Sequence, residues 1–253
     1  RSNCFKGLIF KVMRSLFVPN LKEGILRLSE EETRHAVTVL RAKIGFSYAL
    51  MDGKGGTAEG IIIELDKRSC VMEVGEISRE SLPQLGLTMI VTPTKKKERF
   101  EWFLEKATEI GVDRIYPVFT SRSESKIEKF DRWNKVLISA MKQSKRTWLP
   151  KLMPAMALID AVSEISDSPH LAKNFFVAHC MDAVSLSKKT HLLKALVPGE
   201  STCIAIGPEG DFTTEEVEKM LDLGAKEITL GDMRLRSETA AIVAVTFFAA
   251  RQV

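Results

Sequence analysis

Cysteine is sparse and scattered in this chain of 253 residues: Cys4, Cys70, Cys180 and Cys203 stand alone, with no CxxC pair among them. That spacing supports neither a zinc site nor a disulfide framework, and reduced, mostly buried thiols of a cytoplasmic protein are expected. Histidine is equally thin, and His35, His170, His179 and His191 show no HxxxH pairing, so no metal is expected. No apolar run reaches the length of a bilayer-spanning helix, which removes a membrane role of that kind. The opening RSNCFKGLIFKVMRSLFVPN lacks the long apolar segment and small-residue cleavage pattern of a secretory leader, and residues ahead of Met13 are left out of the fold argument. Neither sign of charge dominates: 37 Lys and Arg face 33 Asp and Glu, a net +4 that permits nucleic-acid binding without demanding it. Also missing are GxGxxG and any GKS or GKT after a glycine loop, so the two common phosphate-binding fingerprints are absent. No internal repeat or low-complexity segment is present.

What is present divides near residue 82. From Ser15 to about Ser81 the signals are those of a small β-rich unit. LFVPNL, IIIEL and CVMEVGEI read as strands, and MDGKGG is a turn cluster between apolar segments. One helix interrupts it, with Ser29 as N-cap and Glu32 at capping-box spacing, running through HAVTVLR towards Gly45. After SLPQLG the texture changes. LTMIVT, RIYPVF, FFVAH, TCIAI and KEITL read as strands that alternate with helices. In KKKERFEWFLEKATEIG, the residues Phe100, Phe103, Leu104, Ala107 and Ile110 recur at helical spacing and Gly111 supplies the stop. A further helix covers about Asp131 to Arg146, and a very apolar one about Glu238 to Arg251. This alternation predicts an α/β domain with a mainly parallel sheet, in which ligands lie beyond the carboxyl ends of the strands.

Two loops follow such strand ends. In IGPEGDFTTEE, Gly207 and Gly210 lack Cβ atoms and allow a ligand or another backbone to approach closely, and Thr213 with Glu216 opens a helix. A lone GPEG is as readily an ordinary strand-to-helix turn. In LGDMRLRSETA, Arg234 and Arg236 alternate along an extended stretch, Ser237 is placed to cap the last helix, and an anion is favoured at that helix start. The bland reading has Glu238 pairing with an arginine to stabilise the first turn. Cationic clusters also follow several strands: Lys95, Lys96, Lys97 and Arg99; Arg122 with Lys126; and Lys142, Lys145 and Arg146 beside Trp148. Charge runs are usually solvated faces, but lysines at a helix N-terminus oppose its dipole unless an anion is near. His35, Arg41 and Lys43 add positive character to the small unit, His35 being equally readable as a surface residue.

In order along the chain stand RHAVTVLRAKIG, DGKG, TPTKKKERFEWFLEKATEIGVDRIYPVFTSRS, RWNKVLISAMKQSKR, IGPEGDFTTEE and LGDMRLRSETAA. This series closely resembles the RsmE family of ribosomal RNA methyltransferases from about Met13 to Phe248. The resemblance implies methylation of N3 of a uridine in small-subunit (16S) ribosomal RNA, with S-adenosyl-L-methionine as donor and rRNA or the assembled small subunit as partner. It implies a PUA-like small β-barrel for RNA binding over residues 13–81 and a SPOUT-type, trefoil-knotted methyltransferase domain over 82–253. Threading is too rare to be read from periodicity. A homodimer is implied as well, with the apolar last helix as interface, although burial in its own core would explain that helix equally.

The resemblance places the donor against Thr92 and Pro93, against Gly207, Pro208, Glu209 and Gly210, and against Leu230, Gly231, Leu235 and Arg236. Because uridine N3 must lose its proton, a base or a charge-stabilising group is expected: Arg236 to stabilise charge on the uracil carbonyls, with Glu209 or Glu238 as base or as the group orienting Arg236. Arg122, Ser123, Gln143 and Arg146 match the family's remaining polar blocks and are expected to hold RNA phosphate or order the dimer. Two departures stand out: Asp211 replaces the second glycine of the family's GPEGG, and Arg234 and its apolar neighbour are exchanged relative to LGxRILRTETA. They keep open a non-catalytic RNA-binding or ribosome-assembly protein with a vestigial cofactor site, and a related enzyme acting on another RNA. An oxidoreductase rests on α/β texture alone, against the missing fingerprint.

Overall fold

The computed structural model describes residues 14–83, 85–123, 128–168, 173–181 and 189–252. Cys4, Lys126 and His170 lie outside them. The chain divides into two compact units, one running to Leu82 and including Ile138–Leu149, the other comprising Pro83–Leu137 and Pro150–Val253. The segment Ile138–Leu149, which sequence texture assigns to the second domain, clusters with the first unit.

The first unit is a mainly antiparallel six-stranded sheet in the order β1 (Ser15–Phe17), β3 (Ser47–Met51), β4 (Gly56–Leu65), β5 (Cys70–Val74), β2 (Gly24–Arg27), with β6 (Ser78–Arg79) also on β4. Alternation along β4 turns Ala58, Gly60 and Ile62 inward, onto a core with Leu16, Leu50, Cys70 and Met72. DGKG is held by Asp52, whose Oδ1 accepts from the amides of Lys54 at 2.7 Å and Gly56 at 2.8 Å. Gly53 and Gly55 take positive φ there. Gly55 has no room for a Cβ, which would lie 2.4 Å from the Glu80 carbonyl.

Helix α1 (Glu30–Arg34) begins as expected, with the Ser29 side chain accepting from the Glu32 amide. It does not run to Gly45. A π-helical turn over His35–Val39 ends it at Leu40, and Arg41 follows in the left-handed region at φ +51°. The β-branched run Val37–Val39 is a weak helix former, and Thr38 Oγ1 bonds back to the Arg34 carbonyl at 2.6 Å.

The second unit is an all-parallel sheet whose central order is β8 (Arg114–Phe119), β7 (Leu87–Val91), β13 (Thr202–Ile206), β11 (Phe175–Ala178), β14 (Lys226–Thr229). Short strands β9 (Lys151–Leu152) and β10 (Met156–Ala157) join β8, and β12 (Thr190–His191) joins β14. β7 and β13 are buried at every position, as strands covered on both faces must be. One face packs α4 (Leu158–Ser166) and α6 (Thr214–Asp222) onto Ile90, Val118, Val177 and Ala205. On β7 and β13 also lies α7 (Ser237–Arg251), packed beside α2 (Lys97–Ile110). Helix α3 (Phe130–Ser144) precedes β9, and α5 (Leu192–Ala195) is a single turn after β12. Among the described residues no helix is long and apolar enough to cross a membrane.

Candidate active site at the carboxyl edge of the parallel sheet

Because the strands are parallel and in register, their carboxyl ends share one edge. Val91 pairs Ile206, Ile206 pairs Ala178, and Ala178 pairs Ile228. The next residues along each strand are Thr92, Gly207, His179 and Thr229. The GPEG loop and the LGDMRLR loop therefore leave the same edge one strand apart, about 10 Å at the usual interstrand spacing.

Several bonds fix the first loop. Asp211 sits in the left-handed region at φ +65°. Its Oδ1 accepts from the Phe212 amide at 2.8 Å, and its Oδ2 from the Cys180 amide, just past β11, at 2.7 Å. Arg122, beyond β8, donates through Nη1 to the carbonyls of Gly210 at 2.9 Å and Phe212 at 3.1 Å. Glu209 Oε1 accepts from the Lys95 amide at 3.3 Å. Thr213 and Glu216 form the full capping box of α6, and Glu216 also accepts from the Ser121 amide at 2.7 Å. The loop crowds Gly207, where a Cβ would meet the Phe212 amide nitrogen at 3.2 Å. At Gly210 such a Cβ would make only ordinary contact with Arg122, at 3.4 Å.

The second loop is open. Gly231 takes φ +143°, and its amide donates to Thr229 Oγ1 at 3.2 Å. Leu230 and Leu235 are half-buried, while Gly231, Arg234 and Arg236 are exposed. Arg236, not Ser237, is the N-cap residue of α7, and it supplies no side-chain cap; Ser237 is the first helical residue. Among the described residues no hydrogen bond or ion pair engages the Arg236 guanidinium. Glu238 is buried and lies 3.5 Å from Arg99 Nε of α2. Its arginine partner is therefore Arg99, which the sequence reading had assigned to RNA.

Among the described residues, two buried oxygens here meet no hydrogen-bond partner, Thr92 Oγ1 and Glu238 Oε2. An unpaired buried hydroxyl is costly unless something meets it. The Thr92 hydroxyl ends the buried strand β7, and Pro93 beside it is buried. With the crowded Gly207 turn and the half-buried leucines, these residues fit a small amphipathic ligand bound by backbone groups and one hydroxyl.

The remaining predicted residues divide. Lys95, Lys96 and Lys97 are exposed at the start of α2, with Lys96 as its N-cap residue and no capping side chain. Ser123 Oγ accepts from the Thr120 amide at 2.7 Å, a local turn. His35, Arg41, Lys43, Gln143 and Arg146 belong to the first unit. Arg41, Lys43 and Gln143 are exposed, and His35 and Arg146 are half-buried. Of the thiols, Cys70 and Cys203 are buried and Cys180 is exposed. Burial pushes the Cys70 thiol up to about 11 and raises that of Cys203 further.

A family profile described as RNA methyltransferase domain matches residues 81–249, and one described as RNA methyltransferase PUA domain matches residues 28–74. The chain belongs to the RNA methyltransferase domain family. Among relatives of this methyltransferase-family chain, the ribosomal RNA small subunit methyltransferase E of Mesomycoplasma hyopneumoniae (strain 232) is 33% identical, over 92% of this chain and 98% of the relative. A solved structure of a probable rRNA-methyltransferase from Porphyromonas gingivalis superposes with TM-score 0.84 at 32% identity, covering 95% of this chain and 98% of that one. The ribosomal RNA small subunit methyltransferase E from Neisseria gonorrhoeae, solved bound to S-adenosyl methionine, gives TM-score 0.79 at 26% identity, over 92% and 95% of the two chains. The α/β fold with an N-terminal PUA-like domain is thus that of the methyltransferase family.

Sequence reasoning missed His179 as part of this edge. The signal for His179 was available: it follows FFVA as directly as Gly207 follows TCIAI.

Proposed function

We propose that the protein methylates N3 of a specific uridine in small-subunit (16S) ribosomal RNA with S-adenosyl-L-methionine as donor, in the cytoplasm and as a homodimer. The observation that carries this is the shared edge where Thr92, the GPEG loop and the LGDMRLR loop meet. Bound there, the donor supplies an electrophilic methyl group on a sulfonium. Thr92, Pro93, Gly207, Pro208, Gly210, Leu230, Gly231 and Leu235 would hold it, the backbone gripping adenine and ribose and the leucines covering the ring. A trefoil-knotted path through these loops, as the family resemblance implies, belongs to the same reading.

Uridine N3 carries a proton at neutral pH that must leave before or during attack. Arg236, exposed and without a partner among the described residues, would stabilise the charge that develops on the uracil carbonyls. Glu209 is the proton acceptor in this reading: half-buried, it has Oε1 on the Lys95 amide and its other oxygen for substrate. Glu238, buried against Arg99, orders the start of α7 and through it Arg236. Lys95, Lys96, Lys97, Arg122 and Ser123 of the second unit are assigned to RNA phosphate in this reading, Gln143 and Arg146 of the first unit likewise, and His35, Arg41 and Lys43 grip flanking RNA. The target base must leave its stack to reach the edge.

Methyl transfer from labelled S-adenosylmethionine to unmodified small ribosomal subunits, followed by nucleoside analysis, tests the proposal. Stoichiometric 3-methyluridine at one position is the expected result. A different methylated nucleoside, or transfer only to another RNA, would overturn the substrate.

A further inference from the structure

Between the two motif loops stands a cluster that neither contains. The side chains of His179 and Glu227 are 0% and 2% exposed, with His179 Nε2 3.0 Å from Glu227 Oε1. On the other side of the ring, Nδ1 lies 3.2 Å from Lys189 Nζ. An ammonium is only a donor, so Nδ1 must accept, and the single ring proton sits on Nε2, directed at the Glu227 carboxylate. Lys189 Nζ also donates to the carbonyl of His179 at 2.9 Å and to that of Met181. All three ammonium protons are thereby committed to one turn of chain.

Among the described residues, the charged groups facing His179 are Lys189, Glu227 and Asp211. Burial and then Lys189 hold its pKa below the ordinary value, against the pull of Glu227 and Asp211. A second ring proton would face an ammonium, so the neutral ring is the form the cluster is built around. The next residue, Cys180, donates its amide to Asp211 of the GPEG loop. A largely buried cluster that holds a carboxylate and an ammonium on either side of a neutral ring is a poor device for stability, since apolar packing of equal volume does as well or better. What it offers is a single geometry.

We propose that His179, clamped between Glu227 and Lys189, is a positioning residue of the donor pocket: it sets the turn after β11 that holds Asp211, and so the GPEG loop. The inference rests on the reading of this edge as the donor site. Calorimetric titration of the full chain with S-adenosylmethionine, paired with amide hydrogen exchange, separates the two. No binding by the wild type would sink the donor-site reading itself.

Given wild-type binding, His179→Phe fills the volume without a ring nitrogen. It should weaken donor affinity about tenfold. Exchange should quicken at Cys180–Met181 and Gly210–Phe212 while β7 and β13 keep their protection. Lys189→Met, at a half-buried residue, should do the same and carries the test if His179→Phe does not fold. His179→Gln, able to donate to Glu227 and accept from Lys189, should restore most of the affinity. Unchanged donor affinity in both His179→Phe and Lys189→Met would overturn the proposal. So would equal loss in all three variants with faster exchange throughout the sheet, which would make the cluster merely structural.

Discussion

Asp211 holds a left-handed backbone that glycine adopts freely, and it spends both carboxylate oxygens on amides. The strain of that conformation is ~1–2 kcal/mol for a residue with a Cβ. Asp211→Ala keeps the strain and loses both bonds, and should cost about 2 kcal/mol in chemical denaturation. Asp211→Gly loses the bonds but relieves the strain, so its cost should be clearly smaller; equal costs would show that φ is not limiting. The departure from GPEGG is thus a different solution to the same turn rather than decay of the loop. His35 and His179 both have pKa values lowered from the ordinary 6.5, burial being the larger cause in each. The unfolded chain takes up protons near that pH that the folded chain declines. Their contribution is therefore full above about pH 6.5 and is lost as pH falls through the folded values. The thermal midpoint should drop on acidification below that point, less so in His179→Gln. A profile flat down to carboxylate titration would contradict it. If Arg236 stabilises the developing charge as proposed, Arg236→Ala should abolish most methyl transfer while leaving RNA binding intact; full activity in that variant would remove Arg236 from the mechanism.

Among elements, the helix starts were the most legible feature, because caps are written in adjacent residues. The caps at Ser29 and Thr213 could be read from spacing alone, although only Thr213 closes a full capping box with its Glu216 while Glu32 turns to Lys142, and Thr213→Ala should cost ~1 kcal/mol. The end of α1 was not legible, since its π-helical turn depends on tertiary context and on Thr38 bonding back to Arg34. Nor did spacing reveal that Lys142 Nζ, read as part of a basic run, donates at 2.7 Å to Glu32 Oε1, with side chains only 15% and 10% exposed. Removing one partner of an enclosed pair leaves the other charge stranded. Lys142→Ala should therefore destabilise by about 2–3 kcal/mol, whereas Arg132→Ala, at the exposed pair with Glu101, should have little effect. Urea denaturation of the two variants checks the contrast.

For the whole molecule, a net charge of +4 is too small to hold RNA unless the cations are arranged. If Arg41 and Lys43 grip flanking RNA, their double replacement by alanine should weaken RNA binding and shallow its salt dependence by about two ion equivalents. The donor affinity should stay unchanged, and a change there would contradict the assignment. The homodimer proposal has a surface to use: α7 buries Ala241, Ala244, Val245 and Phe248, while Ile242, Val243, Phe247 and Ala249 remain half-exposed. Sedimentation should give a dimer that Val243→Arg dissociates; a wild-type monomer at micromolar concentration would refute it.

By itself the sequence determined the α/β class, the main strands of the parallel sheet, the helix starts at Ser29 and Thr213 and the positions of both motif loops. Each of these is local: periodicity, a cap, or a glycine turn expresses itself within a few residues. The ordered motif blocks also carried the family. Only the tertiary structure decided which charges meet. Arg99 joined Glu238, Arg122 the GPEG loop and Lys142 Glu32, and His179 came to lie between Glu227 and Lys189. Apart from Lys142 and Glu32, which meet within the first unit, those pairings depend on strand order, β8-β7-β13-β11-β14, which no local pattern encodes, because parallel strands are joined by crossovers and most neighbours in the sheet are distant in the chain.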